Sequence, residues 1–176
     1  KCRKHILKTG HKTLIMGIVN VTTDSFSGDG LLNKKFNEID IKNLQDIVLE
    51  KTEKMIQEGA DIIDIGAESS RPGAKPIGAR EEIKRISLCL KVLAKKIKIP
   101  ISVDTYKPEV AEAALDLGAC IINDITGLKN PIMKRLIAKY GAGVVIMHMK
   151  GMPRTMQRNP RYKTVVDDVI SFLKGS

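Results

Sequence analysis

Short apolar runs alternate along this chain with longer stretches in which apolar positions recur every three or four residues. The runs lie in LIMGIVNVT from Leu14, EGADIIDIGAES from Glu58, IPISVDTY from Ile99, LGACIINDITG from Leu117 and YGAGVVIMHMKG from Tyr140. They are continuous rather than alternating, which predicts strands buried on both faces, as in a parallel sheet. The periodic stretches predict helices over about Leu44–Glu58, Glu81–Lys96, Pro108–Leu117 and Pro131–Tyr140, with a fifth at VVDDVISFLKG. Two of them begin with proline, whose missing N–H costs little in a first helical turn. A Gly-Ala step follows three helices, where glycine supplies the left-handed cap that turns the chain back toward a strand.

The repeat is therefore βα, with right-handed crossovers expected. Its polar residues are sorted: Asn20, Asp64 with Glu68, Asp104, Asn123 with Asp124, and His148 fall at or just past the strand ends. A doubly wound sheet would concentrate such groups at one switch point. A (β/α)8 barrel gathers them from several strand tips at its C-terminal face. The predicted class is α/β, of the (β/α)8 TIM-barrel type, with about the first five βα units present. Such a barrel typically takes about 250 residues. Residues 1–176 are therefore expected to form a single barrel domain, C-terminally incomplete.

Composition narrows the picture. The chain is 43% hydrophobic and 28% charged, enough for a packed core and against wholesale disorder. No apolar run approaches the roughly 18 residues of a membrane span. The basic start KCRKHILKTGHKT is followed by strand one rather than a signal-type segment, so no membrane association and a cytoplasmic location are expected. Cys2, Cys89 and Cys120 are too scattered for a disulfide framework or a zinc site, and Cys89 and Cys120 read as packing residues. The net charge of +10 is spread over helical stretches that also carry acids, and the chain has three Phe, three Tyr and no Trp. With so few stacking residues, solvated lysine-rich faces explain the charge better than a nucleic-acid partner.

The candidate chemistry lies behind the strands. Asn20 offers a neutral carbonyl oxygen, which suits Mg²⁺ shared with substrate phosphates, or else closes a local turn. The TTDSFSGDG that follows supplies hydroxyls, carboxylates including Asp24, and glycines, as a mobile loop over a phosphate-bearing substrate would. In GAESSRPGA, Arg71 is a guanidinium fork beside Ser69 and Ser70 that either clamps an anion or pairs with a local acid. Asp104 in SVDTYKP and Asn123 in INDITG could together read the edge of a polar heterocycle; alternatively Asp104 caps the helix near Pro108. Met147 and Met149 offer soft apolar walls around His148, which is either structural or an acid, base or orienting donor. There is no GxGxxG after a strand, no GxxxxGK[ST], no HExxH and no GxSxG, so dinucleotide, Walker-type and serine-hydrolase chemistry lose support.

Taken together, MGIVNVTTDSFSGDG, DIIDIGAESSRPGA, ISVDTY, IINDITG and MHMKGMPRTMQ resemble, in order, the dihydropteroate synthase family of folate biosynthesis, over about Leu14 to Gln157. The resemblance implies a (β/α)8 barrel that joins 6-hydroxymethyl-7,8-dihydropterin diphosphate to p-aminobenzoate, giving 7,8-dihydropteroate and pyrophosphate, with Mg²⁺ and with sulfonamides as competitors. It implies Asn20 as the metal residue, and Asp104, Asp24 and Arg71 as catalytic residues. Ser70, Arg71, Asp104, Asn123 and Met147 would bind substrate. A homodimer is implied for a full-length member.

Mild departures fall in the loops: Thr23 for proline, Ser27-Gly28-Asp29-Gly30 for Ser-Asp-Gly-Gly, Ala67 for glycine and Ser70 for threonine. The family's sixth-strand aspartate, seventh-strand Ser-Arg-Lys and eighth-strand Arg-x-His have no counterpart, so these five units alone are expected to lack turnover. Two other readings share the same strand tips. One is a pterin-binding methyltransferase acting on methyl-tetrahydrofolate and a corrinoid; the other is a non-catalytic pterin-binding module.

Overall fold

The computed structural model describes residues 1–21, 38–68, 76–151, 155–156 and 159–176, with the backbone alone at 38–40. Ten elements alternate strictly: β1 (Met16–Asn20), α1 (Glu38–Gln57), β2 (Ile62–Gly66), α2 (Ala79–Lys96), β3 (Ile101–Asp104), α3 (Pro108–Asp116), β4 (Ile121–Asp124), α4 (Pro131–Tyr140), β5 (Gly143–Ile146) and α5 (Val165–Lys174). The strands form one parallel sheet in the order β1-β2-β3-β4-β5. Helix α1 starts six residues before the apolar period does. Glycines 59 and 118, after α1 and α3, hold φ of 107° and 109°, values that an L side chain rarely adopts.

Alternation within each strand separates two faces. Val19, Ile63, Ile65, Ile101, Val103 and Ile122 point one way and pack with Leu44, Val48, Ile86, Leu90, Leu93, Val110, Ala114, Leu115, Met133 and Leu136 of α1 to α4. A doubly wound sheet would split its helices between both faces. Here four helices share one core on one face, and the strands run in sequence order, as consecutive units of a (β/α)8 barrel do. The inner face begins with a small apolar floor of Cys2, Ile62, Cys120 and Ile121, with Leu7 and Met16 against it. Arg3 fastens the N-terminal segment there, donating from Nη1 to the carbonyls of Leu115 and Ala119 at 2.6 and 2.8 Å.

The expectation of strands buried on both faces holds for β2 and β3 but not at the margins. Ile18 in β1 is 58% exposed, and Val144 and Val145 in β5 are exposed as well. Each of these strands has a neighbour on one side only, so its side chains lose half the cover a central strand receives.

Candidate active site

The sheet register draws the strand tips into one line. Asn20 pairs with Gly66, Gly66 with Asp104, Asp104 with Asn123 and Asn123 with Val145. Register partners in a sheet share a face, so an amide, a gap, a carboxyl and a second amide lie side by side, turned away from the helices. A Cβ at Gly66 would stand 3.1 Å from Asn20 Oδ1 and 3.7 Å from Asp104 Oδ2, so the missing side chain leaves room between the two groups. The backbone at Gly66 is one any residue can adopt. Gly66→Ala should therefore fold normally yet raise the KM for an anionic substrate on the order of tenfold, because small misplacements of reacting groups are costly. Steady-state kinetics beside a melting curve would separate the two effects.

Asp104 is the group most changed by its surroundings. Burial, then the nearby carboxylates of Asp64, Glu82, Glu68 and Asp124, push its pKa up to about 7. At neutral pH it is divided between acid and anion, a state that a cationic ligand would pull toward the anion. It does not cap α3. The N-cap there is Lys107, and no side chain caps that helix.

Two acids expected at the tips do other work. Asp64 is the third of five residues in β2, one row below the tips, where Ile18, Asp64, Ser102, Ile121 and Gly143 are register partners. Continuous apolarity in the sequence had hidden how far β2 runs beyond it. Asp124 faces opposite to Asn123 and accepts from Thr126 N and Oγ1, both at 2.7 Å, and from Leu128 N at 3.2 Å. It thereby holds the turn in which Gly127 and Leu128 take positive φ.

Glu68, two residues past β2, belongs to a largely buried ionic cluster that the strand pattern did not reveal. Lys107 Nζ donates to Glu68 Oε2 at 2.6 Å, to Glu82 Oε2 at 2.5 Å and to the Ile77 carbonyl at 2.8 Å. Glu68 also accepts from Tyr106 Oη and Ile77 N, and Glu82 from Thr105 Oγ1. Burial alone would weaken the Lys107 ammonium, but its two carboxylate partners outweigh that and raise its pKa. Burial, then its bond to Glu68, lifts the Tyr106 hydroxyl to about 12. One sequence signal does point here: Glu82 lies on the same stripe of α2 as Ile86, Leu90 and Leu93, a charge among buried apolar positions.

Met147 lies just past β5, two residues after Val145, and is 37% exposed, while Met149 is buried. The His148 ring packs edge-on against Phe172, 4.9 Å between centroids, and lies 5.8 Å from Tyr162. It ties α5 to the tip of β5. Asp24, Ser70 and Arg71 lie outside the described residues.

Among the described residues no three His, Cys, Asp or Glu side chains are grouped to hold a metal ion. Asn20, with the space above Gly66, suits a different arrangement, in which one protein carbonyl oxygen adds to a Mg²⁺ held mainly by phosphate and water. No described helix is long and apolar enough to cross a membrane.

Parallel strands in sequence order, helices on one face and a row of amides and acid at the carboxyl ends define consecutive units of an α/β barrel. Residues 16–176 match the family described as pterin binding enzyme, and the chain belongs to that family. It is 41% identical to the dihydropteroate synthase of Clostridium beijerinckii over 166 residues, 94% of this chain and 55% of the relative. To that of Escherichia coli it is 42% identical over 155 residues, 88% and 51% respectively. In three dimensions it resembles the Yersinia pestis dihydropteroate synthase with a sulfonamide drug, at TM-score 0.85 and 36% identity, covering 99% of this chain and 60% of that one. It also resembles the Burkholderia cenocepacia enzyme complexed with 7,8-dihydropteroate, at TM-score 0.79 and 38% identity, covering 99% and 55%. The chain thus spans about half the length of the curated relatives it matches.

Proposed function

We propose that the protein is a dihydropteroate synthase, joining 6-hydroxymethyl-7,8-dihydropterin diphosphate to p-aminobenzoate with release of pyrophosphate. The observation that carries this reading is the single register row of Asn20, Gly66, Asp104 and Asn123. It leaves the position at Gly66 open between an amide oxygen and a carboxyl, with a second amide beside them suited to a polar ring. The methyltransferase reading, with no diphosphate to accommodate, gives no reason for the space between Asn20 and Asp104. A cytoplasmic location and a homodimer of the full gene product belong to this proposal.

Asn123 and Asp104 hold the pterin edge, with Met147 as an apolar wall. As the bond from the pterin methylene carbon to the diphosphate oxygen breaks, its electron pair leaves with the diphosphate. Positive charge then spreads from the methylene into the ring. Asp104, pushed toward neutrality by burial, releases its proton to solvent and as the anion stabilises that charge. The p-aminobenzoate nitrogen donates its lone pair to the methylene carbon and then gives up a proton to solvent. Asn20 would hold Mg²⁺, which when bound draws negative charge from the departing diphosphate. Asp24, Ser70 and Arg71 are assigned to the loops that complete the site on the diphosphate and p-aminobenzoate sides. No residue needs to form a covalent bond to substrate.

The test is formation of 7,8-dihydropteroate by the full gene product supplied with both substrates and Mg²⁺. Pterin diphosphate consumption that depends on p-aminobenzoate is the expected result. A well-folded, Mg²⁺-supplied full-length protein that forms none would overturn the assignment.

A further inference from the structure

Beyond the field it adds at Asp104, Asp64 has no part in the chemistry above, yet it is a carboxylate at 4% exposure in the middle of the sheet. Its Oδ1 has no hydrogen-bond partner of good geometry, and neither does Oγ of Ser102, its fully buried register partner on β3. A buried oxygen left so poorly satisfied costs stability, and an apolar residue would serve the floor better. Burial raises its pKa, while Ser102 and Asn123 oppose the rise by favouring the charged form. Among the described residues its side chain accepts one hydrogen bond, from the tip row: Asn123 Nδ2 donates to Asp64 Oδ2 at 3.3 Å.

That bond has a directional consequence. The two ends of an asparagine amide have nearly the same shape and opposite hydrogen-bonding character, so an amide at a recognition edge can present either an acceptor or a donor. A carboxylate only accepts. With Asp64 below, the NH2 end of Asn123 is engaged and Oδ1 is turned away from it. We propose that Asp64 is a specificity-determining positioning residue, which locks the Asn123 amide in one orientation so that the tip row offers the ring an acceptor beside Asp104. The proposal rests on the pterin reading of the site and adds to it the residue that sets which edge of the ring is accepted.

Two measurements test it. In this chain, ¹⁵N-edited spectra should show the Asn123 side-chain NH2 shifted and slow to exchange. That signature should disappear in Asp64→Ala and weaken in Asp64→Asn, whose amide can turn either end toward Asn123. In the full gene product, calorimetry with 6-hydroxymethyl-7,8-dihydropterin diphosphate and Mg²⁺ should show Asp64→Ala weakening binding about tenfold, the scale of one hydrogen bond. Asp64→Asn, whose amide can present either end, should restore only part of that affinity. On an Asn123→Ala background, Asp64→Ala should cost no more than about twofold further, since a residue acting through its neighbour is not additive with it. An Asn123 amide that exchanges freely in the parent, or losses that simply add, would overturn this role while leaving the site reading intact. A parent that does not bind the pterin would overturn the site reading, and this role with it.

Discussion

Asp104→Asn is expected to stabilise the protein above pH 7 and, on the proposed reading, to lower turnover of the full gene product steeply. The carboxyl has a pKa of about 7 in the folded chain against an ordinary value of 3.8. As pH rises from about 4 to 7 the unfolded chain releases this proton while the folded chain keeps it, so stability falls across that window and levels off above it. The rise corresponds to a cost of up to about 4 kcal/mol at pH 8. An amide at position 104 cannot ionise and escapes the cost. Melting curves of the two proteins at pH 5 and pH 8, without added Mg²⁺, provide the check. The variant's advantage should be small at pH 5 and several degrees at pH 8. Equal differences at both pH values would show that Asp104 does not ionise within that range. The loss of turnover follows because the asparagine carries no negative charge to set against the cation that forms as the diphosphate leaves. Stability is thus given up at the position where charge is needed.

Lys107→Met should have the largest effect on folding. It would leave Glu68 and Glu82, at 13% and 2% side-chain exposure, facing one another with no cation between them. Removing one partner of a buried ionic cluster typically costs 3–5 kcal/mol. For a chain of this size that is a fall in Tm of about 10 °C. Adding Glu68→Gln and Glu82→Gln to Lys107→Met should recover much of the loss, because the stranded charges are then gone. Thermal denaturation of the single and triple variants would show it. A triple variant no more stable than the single would mean that packing by the lysine stem, rather than charge, holds this corner. The cluster joins the end of β2, the start of α2 and the turn after β3, so the same substitution should loosen the surroundings of Asp104.

These two sites pull in opposite directions. The ionic cluster satisfies every one of its charges and fixes the backbone behind the tips. The tip row keeps an under-satisfied carboxyl ready for a ligand. Glu68 and Glu82 serve both, neutralising Lys107 while adding to the negative field that raises Asp104.

How much of this was legible beforehand differs from residue to residue. Asn20, Asp104 and Asn123 could be picked out because each closes an apolar run, and a polar residue there is visible without any partner. Asp64 also interrupts such a run, but its depth could not be read, since only pairing with β1 and β3 shows that β2 extends two residues further. His148 looked equally suited to chemistry until Tyr162 and Phe172 were seen against its ring. Lys107 gave no sign at all, because its partners come from three separate parts of the chain.

The order of strands and helices, their parallel pairing and the polar character of the strand ends follow from the sequence alone. Helical and strand periodicities, proline starts and glycine caps are local properties, written within a dozen residues. The tertiary structure decided which polar groups share a row, which acid lies a step deeper and what pKa Asp104 has. A one-residue change of register would turn each of these side chains to the other face, and burial and neighbouring charge exist only once distant segments have met.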